Sequence, residues 1–107
     1  MLDLLARRQV CLDVCPTSNV LLGVVDSLEQ HPQPALLEAG VPVTLGSDCP
    51  LFCGTGVVEE YARVRDWLGL SRVEVARIAE TSLRFSALPA DRLAPALERL
   101  AAWVGDG

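Results

Sequence analysis

Two short apolar runs, residues 10–14 (Val-Cys-Leu-Asp-Val) and 42–46 (Pro-Val-Thr-Leu-Gly), limit what this chain can fold into more than any other feature. Each has the length of a buried strand. Each also stops at a polar cluster, Cys15-Pro-Thr-Ser-Asn19 after the first and Ser47-Asp48-Cys49-Pro50 after the second. Elsewhere the apolar spacing is helical. Leu2, Leu4 and Leu5 mark a helix over residues 2–9, and residues 32–39 read as a helix with Leu36 and Leu37 inward, closed by Gly40. Residues 20–25 are apolar, but Gly23 leaves their state open. A helix over 56–68, capped by Thr55, carries Val57, Tyr61, Val64 and Leu68 on one stripe and ends at Gly69. Ser71 and Glu74 make a capping box that opens a helix to residue 87. Pro89 starts a last amphipathic helix with Leu93, Leu97 and Leu100 inward and Pro95 in its first turns.

Strands that alternate with helices, each strand nearly continuous in apolar character, predict parallel βα units covered on both faces. Two parallel strands do not make a stable sheet alone. The chain is therefore expected to be a single segment, 1–107, of a larger α/β body. Half of its 107 residues are apolar, and the mean hydropathy of +0.33 is high for a free-standing domain of this size. A net charge of −5, with nine arginines and no lysine, excludes the basic footprint of a nucleic-acid or anionic-membrane binder. No run reaches the roughly 18 uncharged apolar residues of a membrane span. Residues 1–8, with Asp3 ahead of Arg7 and Arg8, do not read as a signal peptide. Four cysteines without such a signal point to a reducing, cytoplasmic setting and to thiols rather than disulfides.

Those cysteines form two C-x3-C pairs. Four residues of strand span roughly 13 Å, so Cys11 and Cys15 share a face but stand too far apart for one ion, whose Zn–S bonds are about 2.3 Å. Cys49 and Cys53 lie in an expected loop and could chelate, although small buried thiols are the simpler reading. Ser18 and Asn19 read as partners of loop backbone, and His31 as a cap or packed imidazole. Glu59 and Glu60 read as acids favoured by the positive end of a helix. Asp48 is the most informative polar residue, because catalytic groups in parallel α/β folds gather where strands end. The chain has no Gly-rich phosphate loop, nucleophile elbow or C-x-x-C redox pair.

Taken in order, Cys15-Pro-Thr-Ser-Asn19, Ser27-Leu-Glu-Gln-His31-Pro32, Ala39-Gly-Val-Pro-Val43, Ser47-Asp48-Cys49-Pro50, Gly54-Thr55 and Glu59-Glu60-Tyr61 resemble the C-terminal part of the adenosine deaminase family. Leu83-Arg-Phe-Ser-Ala-Leu-Pro89 fits that family's tail, so the resemblance runs over residues 2–100. It implies the C-terminal portion of a (βα)8 (TIM) barrel, with the two parallel strands as its last two. It also implies a zinc-dependent hydrolase that removes the 6-amino group of adenosine or a related 6-aminopurine. By the resemblance Asp48 is a zinc ligand and a catalytic residue that touches the attacking water, and residues 15–19 line the pocket wall. Cys49 stands where the family has a second Asp that binds the purine ring, and a thiol is a weaker hydrogen-bond partner than a carboxylate. The family's other metal-binding histidines, its catalytic Glu and its orienting His all precede the matched region. The resemblance therefore implies a fragment, inactive alone, whose partner is the missing N-terminal barrel part or a further copy of itself. A non-catalytic alternative, a four-cysteine metal-binding or interaction module, rests on the paired cysteines and the high hydropathy.

Overall fold

The two apolar runs pair as parallel strands, β1 (Leu12–Val14) and β2 (Val43–Leu45), in a computed structural model that describes residues 1–106. Leu12 lies against Val43, Asp13 against Thr44 and Val14 against Leu45. Leu12 N–H donates to the Pro42 carbonyl and Gly46 N–H to the Val14 carbonyl, both at 2.9 Å, which extends the ladder at each end. Both strands are shorter than the sequence suggests. Val10 is spoken for, because its N–H closes the preceding helix α1 (Leu2–Arg7) on the Leu5 carbonyl at 3.0 Å, with Gln9 at a left-handed φ of 49°. Pro42 has no N–H to give a ladder.

The stretch after β1, expected to be turn-rich, is helical. Helix α2 (Pro16–Leu21) begins at a proline, whose missing N–H costs nothing in the first turn. A single 3-10 turn (Leu28–Gln30) leads into α3 (Gln33–Glu38). Gly40 follows at φ 81°, donating to the Leu37 carbonyl while Val41 donates to Leu36, so the expected glycine stop is present. The expected loop after β2 is likewise partly helical, as α4 (Pro50–Cys53), again opened by a proline.

Helices α5 (Val57–Leu68), α6 (Arg72–Arg84) and α7 (Ala90–Gly105) complete the fold. Thr55 does not cap α5: the Gly56 N–H donates to Glu59 Oε2 at 3.2 Å, and the Thr55 hydroxyl turns to the Gly56 carbonyl. Of the expected stripe on α5, Val64 is buried and Tyr61 and Leu68 pack against the core, whereas Val57 is exposed and Glu60 is buried as well. The capping box of Ser71 and Glu74 forms as expected. Val64 and Ile78 are fully buried and pack with Leu36, Leu37 and Val75 against Val14, Val43 and Leu45. The other face of the sheet carries Asp13 and Thr44, which bond to each other at 2.6 Å, with Asp13 exposed. The helices therefore cover one face and not the expected two.

Helix α7 packs on α6 but buries no residue fully, and Leu93, Leu97 and Leu100 are only half-buried. Its C-terminal half is held by Arg72, whose guanidinium lies 3.9 Å from the Trp103 ring centroid and whose Nε donates to the Trp103 carbonyl at 3.0 Å.

Large apolar side chains stand in water, among them Leu51 at 90%, Phe52 at 86%, Val58 at 76% and Leu22 at 73% exposure. Among the described residues each strand of the pair also keeps one edge without a neighbour. Unpaired edges and apolar patches drive association. The isolated 107-residue chain is expected to sediment as species heavier than its 11.5 kDa monomer. A clean monomer at high concentration with a sharp thermal transition would contradict this.

Candidate active site

Parallel strands deliver both of their C-terminal ends to the same side, so the segments after Val14 and after Leu45 become neighbours. Gly46 is part of that approach, since a Cβ there would lie 3.4 Å from Cys15 Sγ. Asp48, two residues on, has left-handed backbone (φ 60°), a conformation that Asp accepts more readily than most residues. Its side chain is exposed, and Oδ2 accepts a 2.7 Å hydrogen bond from the Ser18 hydroxyl of α2.

Each polar residue of α2 is tied to a different part of the fold. Thr17 is held by α5 at two atoms: its N–H donates to Glu60 Oε2 at 3.3 Å, and Arg63 Nη1 donates to its hydroxyl oxygen at 2.7 Å. Ser18 is tied to Asp48, and Asn19 Oδ1 bonds His31 Nε2 at 2.9 Å. The Gln33 N–H can only donate, so His31 Nδ1, 3.0 Å away, accepts and Nε2 carries the ring proton. The imidazole is thus neutral, held by both nitrogens, and its pKa is pushed below the ordinary value of 6.5 by burial, against the opposing pull of the Glu60 charge.

Ser18 and Asn19 were expected to satisfy loop backbone; both instead make side-chain to side-chain bonds across the fold. Glu60 was read as an acid placed by the helix dipole. Its burial, at 1% exposure, follows from the Thr17 N–H, and its Oε1 has no partner among the described residues. Arg63 carried no signal of its own. The spacing Glu60-x-x-Arg63 puts both groups on one helix face and was the available clue.

The four thiols do not meet. Among the described residues no three His, Cys, Asp or Glu side chains converge to hold a metal, so the four-cysteine centre is not formed. Cys11 and Cys15 line one hollow with Asp13, Thr44 and Gly46, on the same face as expected. Burial pushes the Cys15 thiol pKa up, and the Asp48, Glu60 and Asp13 charges add to this while the Asp48 N–H opposes it. A thiol so placed resists forming the thiolate that a metal requires. Zinc, as the resemblance implies it, needs about four ligands. The residues present fit it as donors of one: Asp48 has Oδ2 held by Ser18 and a second oxygen on an exposed side chain, free to meet a group from outside this stretch. Cys49 directly follows, at the residue before α4.

A parallel α/β unit with a hydrogen-bonded carboxylate at its strand ends has the layout of part of a βα barrel, where polar groups gather at the C-terminal ends of the strands. The adenosine deaminase family model matches residues 1–103, and the chain belongs to that family. It is 45% identical over 89 residues to a provisionally named adenosine/adenine deaminase of Streptomyces coelicolor, covering 83% of this chain and 26% of that protein. It is 37% identical over 99 residues to an adenine deaminase of Zymomonas mobilis, covering 92% of this chain and 29% of the relative. The crystal structure of an adenine deaminase from Arthrobacter aurescens superposes with a TM-score of 0.93 at 36% identity, over 97% of this chain and 32% of its own. The N6-methyl-AMP deaminase of Arabidopsis thaliana, at 22% identity and a TM-score of 0.75, shares the fold. The chain spans under a third of the length of these proteins. The expected fold class, α/β with two parallel strands and helices forming part of a TIM barrel, stands.

Protonating His31 requires breaking its bond from Gln33 N–H, so the unfolded chain binds more protons below pH 6.5. Stability is fully present above that pH and is lost as pH falls through it towards the lower folded value. Urea unfolding followed by circular dichroism should show a falling midpoint from about pH 7 to about pH 5.5. The fall should be smaller in His31→Gln; equal slopes in the two proteins would rule out this role for the imidazole.

Proposed function

We propose that this chain supplies the C-terminal strands, Asp48 and the purine-contact position Cys49 to a zinc-dependent aminohydrolase acting on adenine, adenosine or a related 6-aminopurine. The bond from Ser18 to Asp48 is the observation that carries the reading. It supports a carboxylate fixed through one oxygen at the strand ends, where a barrel enzyme gathers its chemistry. Family membership and the naming of the relatives as adenine or adenosine deaminases support the reaction class.

In this reading Asp48 is one ligand of the ion, and the remaining ligands come from barrel segments beyond the matched third. Bound zinc would supply a water of near-neutral pKa as the nucleophile. Asp48 holds its place in the site through Ser18. Cys49, half-buried beside it, offers the substrate ring a weak hydrogen-bond partner in place of a carboxylate. With one ligand of about four, the 107 residues alone are inactive and act only within a completed barrel. The setting is the cytoplasm, where four free cysteines persist as thiols.

Asp48→Asn keeps the size and removes the charge. In the completed barrel it should lower turnover of 6-aminopurines by about 10²-fold or more and lower the zinc content with the fold intact. Cys49→Asp should hold or raise turnover. Unchanged zinc and rate in Asp48→Asn would remove the metal-ligand assignment, and a collapse of activity in Cys49→Asp would remove the ring-contact assignment.

A further inference from the structure

We propose that Glu60 and Arg63 are positioning residues for the Asp48 carboxylate, acting through Thr17 and Ser18. This rests on the reading of Asp48 as a metal ligand. Helix α2 has six residues, too few to be stable by its own backbone bonds, so its orientation is imposed from outside. Glu60 and Arg63 impose it by seizing Thr17 at two atoms, the N–H by the carboxylate and the hydroxyl oxygen by the guanidinium. Two bonds of different direction on one residue fix rotation as well as position. Thr17, Ser18 and Glu60 are all buried, at 9%, 3% and 1% exposure, so water does not compete for these groups.

Ser18 is the next residue, and its hydroxyl engages Asp48 Oδ2 at 2.7 Å. Asp48 lies outside helix and strand. The Ser18 contact thus selects which carboxylate oxygen is taken and which is left for an ion. A clamp on α5 is in this way connected to a carboxylate after β2, through two adjacent side chains of α2.

The test reads metal release and not turnover alone. The completed barrel is loaded with zinc and mixed with excess chromogenic chelator. Thr17→Val keeps the shape and deletes the hydroxyl that Arg63 holds, and should release zinc about tenfold faster, the usual scale for partners of a ligand. Thr17→Ser restores the hydroxyl and should restore the slow rate. In a Ser18→Ala background Thr17→Val should add nothing, because the route to Asp48 is already cut. An unchanged rate in Thr17→Val, or the same acceleration in both backgrounds, overturns the proposal.

The completed barrel freed of metal gives an answer without zinc. Thr17→Val, but not Thr17→Ser, should shift the Asp48 amide resonance, and the shift should vanish in the Ser18→Ala background. An Asp48 resonance indifferent to Thr17 overturns the clamp. Zinc retained by Asp48→Asn, with the resonance still coupled, instead overturns the ligand reading and leaves the clamp standing.

Discussion

The parallel pairing of Leu12–Val14 with Val43–Leu45 is the constraint from which the remaining geometry follows. Antiparallel strands would send their following segments to opposite ends of the sheet. Parallel strands send them to the same end and demand a crossover, which here is α2, the 3-10 turn and α3. The crossover packs Leu36 and Leu37 onto the face that already holds Val14 and Leu45, so the connection that parallel pairing requires also supplies part of the core. The opposite face keeps Asp13 and Thr44, whose mutual bond satisfies polar groups that an apolar layer could not cover without loss.

At the strand ends the polar groups are arranged against cost. A carboxylate as deeply buried as Glu60 is unfavourable unless it is bonded, and the Thr17 N–H accounts for only one of its oxygens. Arg63, close enough to bond the same threonine, brings a positive charge to that neighbourhood. Burial first, and then the negative charges of Asp48, Glu60 and Asp13, push the Cys15 pKa up and favour its thiol form. Cys15 is therefore ill suited to serve as a metal-binding thiolate.

What could be read from the chain was what has a local cause. Gly40, Gly69 and the Ser71–Glu74 box announce helix ends because each acts within a few residues of itself. The ordered motifs gave the family for the same reason, since residues 15–19 and 47–50 are contiguous. Glu60 does sit in the first turn of α5 as expected, but the helix dipole does not account for its burial, and its partner, the Thr17 N–H, is 43 residues away. The link from Ser18 to Asp48 spans 30 residues and was invisible for the same reason. Thr55 looked like a cap until Glu59 was found to reach back to the Gly56 N–H. The roles of Asp48 and Cys49 came by likeness to the family, and only the position and partner of Asp48 are added by the structure.

The sequence separations of these bonds, 30, 43 and 46 residues, set when in folding the site can exist. Local turns and caps form early because their loops are short, whereas contacts this distant wait on closure of long loops. No helix–turn piece of the chain contains two ends of the network. The carboxylate geometry can appear only after strand pairing and the docking of α5, as one of the last events of assembly. A nascent or damaged chain would then carry a formed core but no organised site.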